Sequence, residues 1–127
     1  MTEKKVLPPA PSALGDRGRA FWLTVHTHWL LNVDEVELLT EVCRTVDVCE
    51  DLQAVLNRDG VMAVGSMGQA RTHPALAELR GSRLLLGRLL AQLSLPDPAD
   101  GVMSSPASAR ARKAAKARWV GHNAAQA

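Results

Sequence analysis

The sequence predicts a mainly α-helical protein: an N-terminal helix, a long antiparallel helical hairpin with a short β-like turn between its helices, and a basic C-terminal helical tail. Two observations predict the hairpin. Apolar residues recur at three- and four-residue steps over residues 36–56 and again over residues 76–93, which is the pattern of amphipathic helices. The glycine-containing connection between these stretches is too short to be a domain of its own. The tail is predicted from an Ala-, Lys- and Arg-rich run over residues 107–120.

Length and composition indicate a single domain with flanking segments. In a chain of 127 residues, we expect residues 1–11 to form a flexible proline-rich arm, residues 12–95 a helical oligomerisation core, residues 96–106 a linker and residues 107–127 a basic tail. A core of roughly 80 residues buries a small fraction of its surface and is only marginally stable by itself. Its size alone therefore favours oligomerisation.

The first predicted helix covers residues 15–30. Its apolar face carries large side chains at helical spacing, namely Phe21, Trp22, Val25 and Trp29. A base-stacking surface usually interleaves aromatic with basic residues, and residues 24–31 contain no Lys or Arg. We therefore interpret the two tryptophans as core anchors.

The second predicted helix is long and strongly acidic. Asn32 and Glu35 have the spacing of a capping box at its start, and Gly60, which can adopt a left-handed conformation, ends it. Between residues 34 and 59, eight acidic residues face two arginines, a local balance of −6. Because this charge repels phosphates, we do not expect the helix to lie on DNA.

The connection over residues 61–73 is predicted to be a tight, strand-like excursion. Gly65 and Gly68 are expected to hold turn conformations that a Cβ atom would strain. Pro74 is expected to start the return helix, because its fixed φ suits a first helical turn.

The return helix ends before Pro96 and carries leucines on more than one face. A helix in an isolated hairpin needs a single apolar stripe, so the extra leucines require a second partner. That partner is either the N-terminal helix or another subunit. We assign Leu86 and Leu90 to a subunit interface and expect a charged residue at either position to leave smaller species.

Charge is divided between an acidic body and a basic tail. Residues 1–100 contain ten Lys and Arg against thirteen Asp and Glu, a balance of −3, whereas residues 101–127 contain five Lys and Arg and no acid, a balance of +5. Such a tail suggests a polyanionic or acidic partner. The candidate DNA-binding residues are Arg110, Arg112, Lys113, Lys116 and Arg118 in the tail, and Arg17, Arg19, Arg80 and Arg83 in the body.

Motifs for catalysis do not emerge from the chain. The glycines at residues 65 and 68 are not followed by the Lys and Ser or Thr of a phosphate loop, and Ser66 lacks the glycine pattern of a nucleophile elbow. Cys43 and Cys49 would lie about 9 Å apart along one helix, beyond disulfide reach, and are expected to be core residues. We expect no enzymatic activity, no cofactor and no metal.

The chain contains no apolar run near the ~18 residues that span a bilayer, and its polar start is unlike a signal peptide. The sequence therefore predicts a protein that works in the cell interior and not at a membrane.

One succession of segments runs through residues 7–95. A Leu-Pro-Pro-Ala-Pro-Ser-Ala-Leu-Gly arm at residues 7–15 precedes the first helix, and after the acidic helix come Gly-Ser-Met-Gly-Gln at residues 65–69 and His-Pro-Ala-Leu-Ala-Glu-Leu-Arg at residues 73–80. Taken together, these segments resemble the P27-type small subunits of tailed-phage terminases. The most specific part is the Gly-Gln pair followed by His-Pro-Ala and a leucine-rich helix. The basic tail lies outside the resemblance.

The resemblance implies a non-enzymatic adaptor that forms a ring, recognises double-stranded viral DNA at the start of packaging, and recruits or regulates the terminase large subunit. That subunit carries the ATPase and nuclease activities, and the implied location is the cytoplasm of the infected bacterial host. Two other functions stay open at this point. One is a helical DNA-binding transcriptional regulator with a non-specific basic tail, and the other is a metal-dependent enzyme that uses His26, His28 and His73.

Overall fold

A computed structural model describes residues 6–96 and the backbone of residues 103–104. The helices of this part of the chain are α1 (Asp16–His28), α2 (Val33–Asp59) and α3 (Pro74–Leu93). The strands are β1 (Trp29–Leu30), β2 (Met62–Val64), β3 (Ala70–Thr72) and β4 (Met103–Ser104). The predicted mainly helical fold, with a hairpin and a short strand-like turn, is confirmed. The predicted tail helix lies outside the described residues.

Helix α2 is the central element, and α1 and α3 both pack against it. Its capping box is complete: the Asn32 side chain accepts a hydrogen bond from the backbone N–H of Glu35 at 2.9 Å, and the Glu35 carboxylate accepts one from the Asn32 N–H at 3.1 Å. These bonds satisfy amides that a helix start leaves without partners. At the other end, Gly60 has a φ of +80°, and the chain leaves the helix there.

Strands β2 and β3 form an antiparallel ribbon between α2 and α3, with Met62 opposite Thr72. The backbone N–H of Gly68 donates to the carbonyl of Gly65 at 3.0 Å, which closes the turn. Gly68 has a φ of +81°, so a side chain there would be strained. Gly65 is not in the left-handed region. A Cβ atom at Gly65 would instead come within 2.6 Å of the Gln69 side chain.

Helix α1 is shorter than the predicted 15–30 because the chain becomes extended at Trp29. Trp29 has φ −131° and ψ 152°, and with Leu30 it forms a two-residue strand. This strand pairs in parallel with β4, where Trp29 is opposite Met103 and Leu30 is opposite Ser104. The backbone pairing brings a part of the predicted linker back to the end of α1.

The core runs along α2 in two clusters. The larger one is formed with α1 and the end of α3, and the smaller one with the start of α3. Leu39 and Leu79 are almost completely buried in the larger and smaller cluster, respectively. Leu86 packs against both clusters and joins them.

The indole N–H groups of Trp22 and Trp29 donate hydrogen bonds to the chain segments that precede α1 and follow α3. Trp22 donates to the carbonyl of Pro8 at 3.0 Å, and Trp29 donates to the carbonyl of Pro96 at 2.9 Å. Trp22 is buried, as expected of a core anchor, whereas Trp29 is half-buried. The Pro8 carbonyl and Ala10 of the predicted proline-rich arm therefore contact the core. Within the described ranges, no helix is both long and apolar enough to cross a bilayer.

Candidate interaction groove

A groove runs between α1 and α3, and α2 side chains line part of it. Three adjoining cavities of about 270, 290 and 200 Å³ share lining residues and form one continuous channel, which we call the α1–α3 groove. Phe21 and Leu90 line the first two cavities, and Val46 and Leu86 line the last two. The groove exists because α1 and α3 each pack on α2 and make few contacts with each other.

The two ends of the groove differ in chemistry. The apolar end is closed by Trp29, Leu95 and Pro96, beside the β1–β4 pair. The polar end is lined by Arg17, Glu50, Gln53 and Arg83. An amphipathic helix with an apolar face and a charged end is the kind of ligand that such a groove accommodates.

The body arginines that we predicted to bind DNA are only partly brought together. Arg17 and Arg83 meet at the polar end of the groove, where Arg17 lies 3.7 Å from the Glu50 carboxylate and Arg83 donates to Gln53 Oε1 at 2.7 Å. Arg19 instead donates to the carbonyl of Leu14 at 3.2 Å. Arg80 is exposed on α3. The five predicted tail residues lie outside the described part of the chain.

The start of α1 is held by a carboxylate from α2. Gly15 is the N-cap residue and offers no side chain, so the Asp47 carboxylate accepts hydrogen bonds from the N–H groups of Gly15 at 2.7 Å and Gly18 at 2.8 Å. A negative charge at this position also interacts favourably with the helix dipole. Sequence reasoning did not single out Asp47. The missing capping side chain at the start of the first helix was the signal that a partner from elsewhere was needed.

Close helix packing accompanies this cap. A Cβ atom on Gly18 would lie 2.4 Å from Asp47 Oδ2 and 2.7 Å from the backbone carbonyl of Cys43. Gly18 therefore lets α1 and α2 approach each other where the cap forms. The cap fixes α1, and so the wall of the groove that carries Arg17 and Phe21.

The cysteines are buried and unoxidised, as expected for core residues. Burial, together with the nearby Asp47 carboxylate, raises the pKa of the Cys43 thiol to about 11. A thiol with this pKa is uncharged at neutral pH and is a poor nucleophile.

The three histidines of the metal-enzyme alternative are not brought together. His26 is buried in α1 with its ring 4.5 Å from that of Trp22, and His28 ends the same helix. His73 lies beyond the other end of α2, where it caps α3. The described residues hold no group of three or more His, Cys, Asp or Glu side chains able to bind a metal ion.

His73 connects the ends of the hairpin helices. Its Nδ1 accepts a hydrogen bond from the N–H of Ala75 at 3.0 Å, so Nε2 carries the proton that is shared with Asp59 Oδ2 at 3.0 Å. Arg58 also donates to the Asp59 carboxylate, at 2.7 Å. The hydrogen bonds from Arg58, and next the one from His73, lower the pKa of Asp59 from 3.8 to about 2.

The outer face of α3, which points away from the core, exposes leucines beside Arg80 and Arg88. Leu84 is 67% exposed and Leu85 is 48% exposed, and a Cβ atom at Gly81 or Gly87 would meet open space. Leu90 is 41% exposed at the edge of the groove. The return helix therefore does carry leucines on several faces. Leu86, one of the two residues assigned to a subunit interface, packs against both core clusters within the chain.

The geometry of α1 and α2 bears on the regulator alternative. The two helices are joined by only four residues, as in a helix-turn-helix, in which the second helix enters the major groove. The first turns of α2, however, carry Asp34, Glu35 and Glu37, and the helix carries a net charge of −6 from Asp34 onward. A helix with this charge is repelled by DNA.

Comparison of the chain with protein-family models, with curated proteins and with solved structures finds no match.

Proposed function

We propose that the protein is a DNA-packaging adaptor, a small subunit of a phage terminase, that binds viral DNA and recruits or regulates the large subunit carrying the ATPase and nuclease activities. In this role it has no catalytic activity of its own and acts in the cytoplasm of the infected bacterial host. The proposal begins from the resemblance of residues 7–95 to this family. The observation that carries it furthest is the exposure of Leu84 and Leu85 on the outer face of α3.

That face supports assembly into a ring. Leu84 and Leu85 are largely exposed on a helix whose opposite side is already packed on α2, so their apolar surface is available to a second copy. Burying apolar surface stabilises a protein by about 25 cal/mol per Å². Because the core within one chain is small, burying this face against a second copy would add stability that the single chain lacks. When this surface on one copy binds a different surface on the next copy, repeating the contact forms a ring if the rotation between neighbours adds up to a full turn.

The distribution of charge supports separate binding surfaces for DNA and for a partner protein. Residues 6–96 contain eight arginines and ten acidic residues, a net charge of −2, whereas the tail from residue 101 onward carries +5. The tail is therefore the stronger candidate for contacts with DNA phosphates. The acidic outer surface of α2 is free to contact a basic partner protein.

A pull-down of the full chain with the terminase large subunit, in the presence and absence of viral DNA, tests the proposal. We expect the large subunit to be retained and viral DNA to be retained in preference to unrelated DNA of equal length. Failure to retain the large subunit under both conditions would contradict the adaptor function.

The number of copies in the purified assembly distinguishes an adaptor from a transcriptional regulator. Light scattering coupled to gel filtration should give a closed assembly of several copies for an adaptor, whereas a transcriptional regulator would be a dimer matching a two-fold symmetric site. A stable dimer at all concentrations would therefore favour the regulator.

A further inference from the structure

We propose that the α1–α3 groove binds an amphipathic helix of a partner protein. The apolar face of that helix lies along the groove, and acidic side chains at its C-terminal end meet the two arginines of the polar end. Helices that bind in grooves are anchored by apolar side chains at three- and four-residue steps. The shape of the groove, its charge and the composition of the chain itself identify this ligand. The docking does not depend on the proposed adaptor function.

The two walls of the groove present side chains in the same order. Along α1, Arg17 is followed one turn later by Phe21. Along α3, Arg83 is followed by Leu86 and then by Leu90. Phe21 and Leu86 are half-buried and Leu90 is 41% exposed, so each leaves apolar surface open to the groove. A helix lying along both walls would therefore need a continuous apolar face and polar residues at one end.

The length of the groove fits a short helix. Helix α1 has 13 residues, and the groove follows nearly all of it, from Arg17 at one end to Trp29 just beyond the other. At the rise of an α-helix this distance is about 18 Å, which a bound helix of about 12 residues would cover. Three turns of helix provide three or four apolar anchors on one face.

The polar end of the groove is cationic, and its cations are incompletely neutralised. Arg17 lies 3.7 Å from the Glu50 carboxylate, and both side chains are more than half exposed. Arg83 donates to Gln53, which is a neutral acceptor. Two guanidinium groups therefore face one carboxylate here, a net charge of +1. Because each guanidinium has several N–H donors, the carboxylates of a ligand can pair with them.

The helix dipole sets the direction in which the ligand lies. The last carbonyl groups of a helix carry partial negative charge, so cations are favourable near its C-terminal end. Arg17 and Arg83 both stand at the polar end of the groove, where α1 begins. The bound helix would therefore run antiparallel to α1, with its C-terminus and its acidic side chains at the two arginines.

Charge disfavours an occupant from this chain. The exposed leucines Leu84 and Leu85 of α3 lie beside Arg80 and Arg88, which the cations of the polar end would repel. Residues 101–127 contain five Lys and Arg and no acid. Neither the outer face of α3 in a second copy nor the chain's own tail thus complements the groove. A separate protein with an acidic helix end does.

Fluorescence anisotropy with a labelled peptide tests the docking. The probe is a designed helical peptide of about 12 residues, with leucines at three- and four-residue steps and two glutamates in its last turn. We expect it to bind the full chain. Leu90→Glu, or Arg17→Glu combined with Arg83→Glu, should weaken binding about fivefold or more, because apolar burial and charge pairing both contribute. Leu84→Glu and Arg88→Glu make the same changes on the outer face of α3 and, as matched controls, should leave the affinity unchanged.

Variants of the peptide test the charge and the direction. Moving the glutamates to the first turn should weaken binding, although acids at a helix start make this peptide at least as helical by itself. Replacing them with lysines should weaken binding to the unmodified chain and restore it in the chain with Arg17→Glu and Arg83→Glu, because opposite charges again face each other. Equal affinity of all peptides for all chains, or no binding of the glutamate peptide to the unmodified chain, would overturn the docking.

The number of copies without peptide distinguishes a partner protein from a second copy as the occupant. The sequence assigned Leu90 to a subunit interface, and the structure places it in the groove. If the groove binds a separate protein, Leu90→Glu should leave the number of copies unchanged by light scattering. Smaller species would mean that a neighbouring copy fills the groove, which would overturn the docking of a separate partner.

Discussion

The Asp47 carboxylate of α2 accepts a hydrogen bond from the backbone N–H of Gly18 in α1 at 2.8 Å, and a second one from Gly15 at 2.7 Å. A side chain thirty residues along the chain thus does what an N-cap residue usually does locally. Because α1 forms one wall of the groove, this contact sets the position of the groove as well as the stability of the helix.

Replacing Asp47 with Ala should lower the free energy of unfolding by about 1–2 kcal/mol, since two helix-start amides lose their acceptor and the helix dipole loses a compensating charge. Asp51→Ala, one turn further along α2 on an exposed residue, is the matched control and should change stability by less than about 0.5 kcal/mol. Urea unfolding followed by circular dichroism measures both. Equal values for the two variants would contradict the capping role.

Gly18→Ala should destabilise the protein although Ala is the better helix former. The added Cβ atom would lie 2.7 Å from the Cys43 carbonyl, so α1 must move away from α2, which costs about 1–3 kcal/mol. Gly81→Ala and Gly87→Ala provide the control, because a Cβ atom at either position meets open space. Those changes should stabilise α3 by about 0.5–1 kcal/mol each, and the opposite signs can be read from thermal melts.

Much of the fold could be predicted because its determinants are local. The capping box of Asn32 and Glu35, the helix start at Pro74 and the turn that closes at Gly68 each depend on residues only a few positions apart. Hydrophobic periodicity then fixed which faces of α2 and α3 are buried. These features need no knowledge of the tertiary structure.

The parts that sequence reasoning missed depend on long-range contacts. From the sequence, Asp47 was one of eight acidic residues on a helix face expected to be solvated. Only the packing of α1 shows that its carboxylate caps the start of that helix. Nothing in the local sequence indicated that the Trp22 indole would donate a hydrogen bond to the Pro8 carbonyl, 14 residues earlier in the chain. The groove likewise arises from the placement of two helices on a third, which periodicity alone does not give.

The Asp59–His73 contact should make stability depend on acid pH. The pKa of Asp59 is lowered from 3.8 to about 2 in the folded protein, so its contribution is complete above about pH 4 and is lost as the pH falls toward 2. Asp59→Asn should therefore melt at a lower temperature than the unmodified chain at pH 6, with the difference closing by pH 2. Asp51→Asn controls for the loss of one negative charge. A difference that stays constant across this range would show that Asp59 is not held in its charged form by Arg58 and His73.

Charged residues on α3 should separate folding from assembly. Leu86→Glu should destabilise the protein by about 2 kcal/mol or more, because Leu86 packs against both core clusters. Leu84→Glu should leave the unfolding free energy within about 0.5 kcal/mol, since this side chain is 67% exposed, but should give smaller species by light scattering. If Leu84→Glu stays fully assembled, the outer face of α3 is not the subunit interface.

The basic tail should supply most of the non-specific affinity for DNA. Five positive charges lie within residues 110–118, whereas the acidic surface of α2 repels phosphate. On duplex DNA each neutralised phosphate contributes roughly −0.9 to the slope of log affinity against log salt. Replacing the five residues with Gln should therefore flatten the slope by about 3–4 units per tail engaged, if three to five of them contact phosphates.

Replacing Arg80 and Arg83 with Gln should change the slope less and reduce the preference for viral DNA more, if the body carries that preference. Titrations of the full chain and both variants at several salt concentrations measure these differences. Equal slopes for the unmodified chain and the tail variant would mean that the tail meets an acidic protein surface and leaves DNA to the body.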